Sequence, residues 1–333
     1  MSVLHHDKKE YKMSFQLGPI SFYLGVRRNA GRVPLPPELV SLPTIKAEPW
    51  FQVDPGPDLF LEGPAFDREG NLFVTSPPSG MIFKITPQRQ VSTIFHQKDV
   101  TVDGSAFHKD GRLFGACLSG ELLAMNPDGS NVTFMYPKYQ GKALSMNDLV
   151  FDPKGNIYVT DFCGTIMEPT GGVYRLSSDA TTVQPVLLHL ASPNGVSLSP
   201  EGNILWVAET TRNSVLRLAL LEDGVTLSPL DGVNCPYYST GGPGGPDSNK
   251  VDAAGNLYQS IIFQGRIVVL NQCGIPVANV VVPGREAGRY LRTTNLAFKP
   301  GTREAYITTS GEGGAWIFRF KALAEGLTLF SHQ

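Results

Sequence analysis

Short apolar runs broken by turn residues recur along most of the chain. In the stretch from Pro64 to Phe95 they read "PAFD", "NLFVTS", "MIFKIT" and "VSTIF", separated by "REG", "PPSG" and "PQRQ". Brief β-branched and aromatic runs between Gly, Pro and charged clusters predict strands joined by turns, not helices. The order returns farther on as "LVFD", "NIYVT", "GVYRL" and "QPVLLHL". One phrase, the turn between the first two strands of each unit, occurs six times. It is "FDREGNLFV" at Gly70, "FHKDGRLFG" at Gly111, "FDPKGNIYV" at Gly155, "LSPEGNILWV" at Gly202, "VDAAGNLY" at Gly255 and a degenerate "FKPGTREAYI" at Gly301. Successive glycines lie 41, 44, 47, 53 and 46 residues apart, close to the period of a four-stranded propeller blade. The expectation is an all-β, six-bladed β-propeller over residues 45–333.

Residues 1–44 stand outside this period. Their "RRNAGRVPLPPELVSLP" is Pro-rich and aperiodic, which predicts an extended N-terminal arm on the surface. The next segment, "IKAEPWFQV", alternates as a strand does. The sixth unit offers only "LAFKP", "EAYITTS" and "GAWIFRF", and a ring left with an open edge invites aggregation. A terminal strand must therefore close it. "AEPWFQV" pairing with "GAWIFRF" is the expected closure, and "TLFSHQ" at the C-terminus is the alternative.

Composition narrows the partners. Charged residues make up 17% of the chain, against 35 Gly and 26 Pro, and the formal net charge is −2. Without a Lys or Arg block there is no electrostatic footprint for nucleic acid or an acidic membrane surface, which leaves small molecules. The charged start "MSVLHHDKKEYKM" does not suit a signal peptide, and no apolar run reaches a membrane span. A cytoplasmic protein, monomeric or weakly self-associating, is expected. Cys117, Cys163, Cys235 and Cys273 lie far apart, so they read as free thiols and not as a zinc site.

Counting back eight residues from the six turn glycines gives Glu62, Asp103, Asn147, Asn194, Asp247 and Thr293. In a propeller the innermost strand of each blade runs along the axis, so these residues stand at one mouth of the central channel. Five of the six are carboxylates or carboxamides. Glu62, Asn147, Asn194 and Asp247, with Ser248 adding an oxygen, form an all-oxygen set suited to a hard cation: calcium first, with magnesium or manganese possible. Asp103 reads as a substrate-facing or supporting carboxylate, and Asp148 as a supporting one. No nucleophile elbow, P-loop or dinucleotide fingerprint is present.

The phrases "LEGPAFD", "MNDLVFD", "SPNGVSLS" and "GPDSNKVDAAGNLY" resemble the metal-bearing motifs of the gluconolactonase, regucalcin and luciferin-regenerating propellers. Further phrases, such as "AEPW" and "GPDS", resemble the drug-responsive bacterial lactonases of that family. The resemblance implies a calcium-dependent hydrolase of cyclic esters, with Glu62, Asn147, Asn194 and Asp247 as metal ligands, Ser248 beside them, and Asp247 as the proton-transferring residue. There are departures from the lactonase pattern: Asn147 replaces an Asp, Asp103 replaces a non-acidic residue, Asn295 replaces a His, and a short second unit lacks the insertion associated with a further calcium.

The chemistry expected of such a site is lactone opening by carbonyl polarisation and water attack, with Asp247 as general base and Glu62 as second choice. Tyr237, Tyr238 and Arg292 are candidate substrate-binding residues, flanked by Arg289 and Tyr290. Alternatives are phosphotriester or fluorophosphate hydrolysis, a metal-dependent isomerisation or cyclisation, and a non-enzymatic binding propeller with structural calcium. An acid-and-amide ring at one mouth disfavours the last.

Overall fold

The computed structural model describes residues 34–239 and 244–333. Residues 1–33 of the expected arm, and most of the "GGPGG" run before Asp247, lie outside the described residues. Six blades, each built on four antiparallel strands, surround one axis; blades 1 to 5 run from inner to outer strand in chain order, blade 5 gains a fifth strand at its outer edge, and the outer strand of blade 6 comes from the N-terminal segment. Among the described residues the helices are three-residue 3-10 turns at Pro37–Leu39, Pro77–Ser79, Arg285–Ala287 and Phe330–His332, none of them long and apolar enough to cross a membrane. The inner strands are Glu62–Phe66, Val102–Phe107, Met146–Phe151, Pro193–Leu198, Pro246–Val251 and Arg292–Phe298, in blades 1 to 6.

The repeated turn phrase explains the inner hairpin. In blade 1 the Asp67 carboxylate accepts the Asn71 backbone N–H at 2.7 Å and the Asn71 side-chain amide at 2.7 Å. Asp152 and Asn156 repeat this in blade 3, as do Asp252 and Asn256 in blade 5. Between each pair the glycine has a left-handed backbone, with φ of 80° at Gly70, 83° at Gly155 and 81° at Gly255, a region that costs any residue with a Cβ.

Packing falls into six clusters, one between each pair of adjacent blades. In the second strand of blade 1, Leu72 and Val74 pack toward blade 6 while Phe73 packs toward blade 2. In blade 3, Ile157 and Val159 face blade 2 and Tyr158 faces blade 4. The second strands are buried on both faces, because a blade is sandwiched between two neighbours and has no wet face there.

Closure uses the N-terminal segment. Glu48–Asp54 pairs antiparallel with Ala315–Lys321 as the outer strand of blade 6, with Glu48 opposite Arg319 and Gln52 opposite Trp316. The segment read as one strand is two: Thr44–Lys46 first adds in parallel to the outer edge of blade 5, and buried Ala47 links it to blade 6. "TLFSHQ" takes no part in the ring and lies across the axis at the lower end. It is held there by Arg68 Nε donating to the Ser331 carbonyl at 2.8 Å, and by Phe330 packing on His108 and Phe151.

Candidate metal and catalytic centre

Each inner strand loses its ladder register within its first residues. The shift falls between Glu62 and Ala65, Val102 and Ser105, Met146 and Leu149, Pro193 and Val196, Pro246 and Asn249, and Thr293 and Asn295. A bulge leaves a residue unpaired and re-aims its side chain, and Asp103, Asn147, Asn194 and Asp247 sit inside these bulges. Neighbouring bulges interlock closely. A side chain added at Gly104 would strike Asp148 and the Asn147 carbonyl, and one at Gly63 would strike the Asp103 carbonyl. Hydroxyls of the second strands then fix the ring backbone, with Thr75 donating to the Asp103 carbonyl at 2.6 Å and Thr160 to the Asn194 carbonyl at 2.5 Å.

The result is a buried set of oxygens. Glu62, Asp103, Asn147, Asn194 and Asp247 are each 6% exposed or less, and Ser248 is fully buried. Ser248 Oγ donates to Asn194 Oδ1 at 3.3 Å. Across the closure of the ring, Asn295 Nδ2 donates to Glu62 Oε2 at 2.9 Å, which also accepts the Gly63 N–H at 2.8 Å. Burial pushes the Glu62 carboxyl up to about 7, against the pull of those hydrogen bonds. Asp103 and Asp247 are raised well above the usual carboxylate range, by burial first and then by the Glu62 charge. Carboxyl groups crowded in this way resist sharing one dry space as anions.

That strain suits a cation. Asp103 Oδ1 and Asn147 Oδ1 are buried without a hydrogen-bond partner among the described residues, and an orphaned buried acceptor is costly unless something electropositive meets it. The donor set of carboxylate, carboxamide and hydroxyl oxygens fits a hard divalent ion such as calcium. Among the described residues no three His, Cys, Asp or Glu side chains group at metal-holding spacing, so the fit depends on the two carboxamides.

The other candidate residues are dispersed. Thr293 is buried in blade 6, and Arg292 beside it is 3% exposed with its guanidinium over the Phe60 ring at 5.6 Å. Tyr237 is buried in the cluster between blades 4 and 5, while Tyr238 is exposed; both lie on the outer strand of blade 4, three strands from the axis. Arg289 is exposed and Tyr290 packs on Phe318. The four cysteines are free. The residue that the sequence reading passed over is Lys250, whose ammonium lies 3.1 Å from the fully buried Asp148 carboxylate. A lysine within a strand otherwise buried on both sides was the signal that could have found it.

Comparison with known proteins places the chain among similar propellers. Residues 60–311 match the SMP-30/Gluconolactonase/LRE-like region. The lactonase drp35 of Staphylococcus saprophyticus is 39% identical over 302 residues, covering 88% of this chain and 92% of the relative. That of Staphylococcus aureus is 38% identical over 330 residues, covering 96% and 100%. The crystal structure of a calcium-binding protein, regucalcin, from Agrobacterium tumefaciens superposes with a TM-score of 0.69 at 18% identity, covering 86% of this chain and 98% of that one. At that identity the likeness speaks for the fold.

Proposed function

The chain belongs to the SMP-30/gluconolactonase/LRE-like family, and from that membership and the geometry of its ring we propose that it is a calcium-dependent hydrolase that opens lactones. The observation that carries the reading is the ring itself: three buried carboxyl groups close enough to feel one another's charge, and two carboxamides, at the same end of the inner strands, with two of their oxygens lacking a partner among the described residues. The substrate class is supported by relatives named lactonase that match 88 to 96% of this chain.

Glu62, Asn147, Asn194 and Asp247 would hold the ion, with Ser248 alongside. A divalent cation bound there supplies a Lewis acid for the ester carbonyl oxygen and the positive charge that keeps the buried carboxyls ionised. Asp247 is the general base. It takes a proton from the attacking water as the water oxygen bonds to the carbonyl carbon, and returns that proton to the alkoxide oxygen when the ring C–O bond breaks, leaving a hydroxy acid that releases its carboxyl proton to solvent. Glu62, held by Asn295 and the Gly63 N–H, keeps a fixed orientation beside it. Asp103 contributes negative charge and one open acceptor oxygen on the blade 2 side.

The test is hydrolysis of a lactone panel, including dihydrocoumarin and gluconolactone, beside a phosphotriester, in chelator-treated protein before and after calcium is restored. Calcium-restored lactone turnover is expected. Absence of turnover on every ester by folded, calcium-loaded protein would sink the assignment.

A further inference from the structure

Below the ring, every inner strand borders the lower cavity, with Ala65, Ala106, Val150, Ser197, Lys250 and Ala297 among the residues that line it. Five are small or aliphatic and one is charged. The fold therefore has no general need for a cation at this level.

Lys250 reaches across the axis. From blade 5 its Nζ comes to 3.1 Å from Asp148 Oδ2 on blade 3. Asp148 is fully buried and tied to other blades. Its Oδ1 accepts the Leu149 N–H at 2.9 Å, its Oδ2 accepts the Val196 N–H of blade 4 at 3.4 Å, and Gly104 of blade 2 presses on it too closely to allow any side chain. A buried ion pair of this kind gives a fold little stability compared with well-packed apolar residues, which leaves its position to be explained. Asp148 directly follows Asn147, and Lys250 lies three residues after Asp247. The charge of Asp148 acts on Glu62, Asp103 and Asp247, and that of Lys250 acts on Glu62 in the opposite sense.

We propose that Lys250 and Asp148 form a charge-setting pair beneath the ring, a positioning couple that fixes how tightly the ring holds a divalent cation. This rests on the calcium reading above. With Asp148 unpaired, a bound dication would face four carboxylates with no nearby counter-charge, and would be held more tightly. Lys250 cancels one of them and keeps the ion exchangeable. With Lys250 alone, an uncompensated ammonium would repel the ion from below.

The two halves of the pair thus pull calcium affinity in opposite directions, which a merely structural role does not. Calcium titration by calorimetry on the full chain at pH 8 is the experiment, with folding of each variant checked by thermal melting. Lys250→Met is expected to tighten calcium binding roughly tenfold and Asp148→Asn to weaken it roughly tenfold. The double variant should return to within about threefold of the unaltered chain, because the two effects are coupled, and Lys250→Arg should bind as the unaltered chain does. If Lys250→Met does not fold, Lys250→Gln carries the test, since it keeps a donor to Asp148 while removing the charge; it must also tighten binding. Weaker binding in both single variants, or no change in either, overturns the inference while leaving the calcium site standing. No calcium binding by the unaltered chain overturns the calcium reading, and this inference with it.

Discussion

At the upper end of the axial channel the inner strands begin with five carboxylate or carboxamide side chains, each 6% exposed or less. At the lower end the same strands finish on residues such as Phe66, Phe107, Phe151 and Leu198, around a cavity of about 480 Å3 roofed by the C-terminal tail. The buried carboxylates and carboxamides do not line this cavity. The difference lies in the backbone. The upper end is bulged in all six blades, which frees side chains from the ladder, whereas the lower end keeps regular pairing up to the turns, which are Asp–Asn turns in blades 1, 3 and 5. A repeated strand has become polar and strained at one end and apolar and quiet at the other, and the Asp148–Lys250 pair marks the boundary.

The strongest way to break this contrast is at the upper end. Asp247→Asn is expected to lower lactone kcat/KM by about 10³-fold or more while leaving the melting temperature within a few degrees; retained turnover would remove Asp247 as the base. Next is the pH response of the metal-free protein. A carboxyl raised by folding makes the folded state bind more protons than the unfolded one, so stability falls as pH climbs from the unfolded value through the folded one. For Glu62, raised from 4.5 to about 7, this amounts to on the order of 3 kcal/mol, in the same direction as Asp103 and Asp247. Chelator-treated protein should therefore melt at a lower temperature at pH 8 than at pH 5, and calcium should flatten that difference; a flat profile without calcium would show the ring to be already compensated.

Smaller effects sharpen the picture. Asn295→Ala removes the donor that holds Glu62 at 2.9 Å, and calcium affinity measured by calorimetry should fall roughly tenfold. At the lower end, Phe330→Ala removes a ring seated 5.0 Å from His108 and 5.7 Å from Phe151. Chemical denaturation should show a loss of about 1 kcal/mol, less than for a fully buried Phe, with lactone kcat/KM unchanged. A change in turnover from this tail variant would mean that the two ends are coupled.

Much of the upper end was legible before any coordinates, because a residue repeated at one phase of a repeated unit must recur at one place in the fold. The placement of Glu62, Asn147, Asn194 and Asp247 at one end of the inner strands was legible that way, and so was the closing strand, from the missing fourth strand of unit six. Tyr237 and Tyr238 were read from their nearness in sequence to Asp247, yet an outer strand carries them three strands from the axis. Neighbours in sequence across a blade-to-blade connection need not be neighbours in space. The tail, read as an alternative closing strand, was misplaced for the opposite reason, since "TLFSHQ" occurs once and its partners are up to 263 residues away, as between Arg68 and Ser331.

The sequence by itself determined the fold class, the number of blades, the phase of the ring and the chemistry of its oxygens, because period, turn chemistry and side-chain type are local properties summed over six copies. Only the tertiary structure decided that those side chains fall at bulges and are buried, that Lys250 of blade 5 meets Asp148 of blade 3 across the axis, and that the tail roofs the opposite end. Those contacts join residues 102 to 263 positions apart, and they exist only once ring closure has brought distant blades within reach of a hydrogen bond.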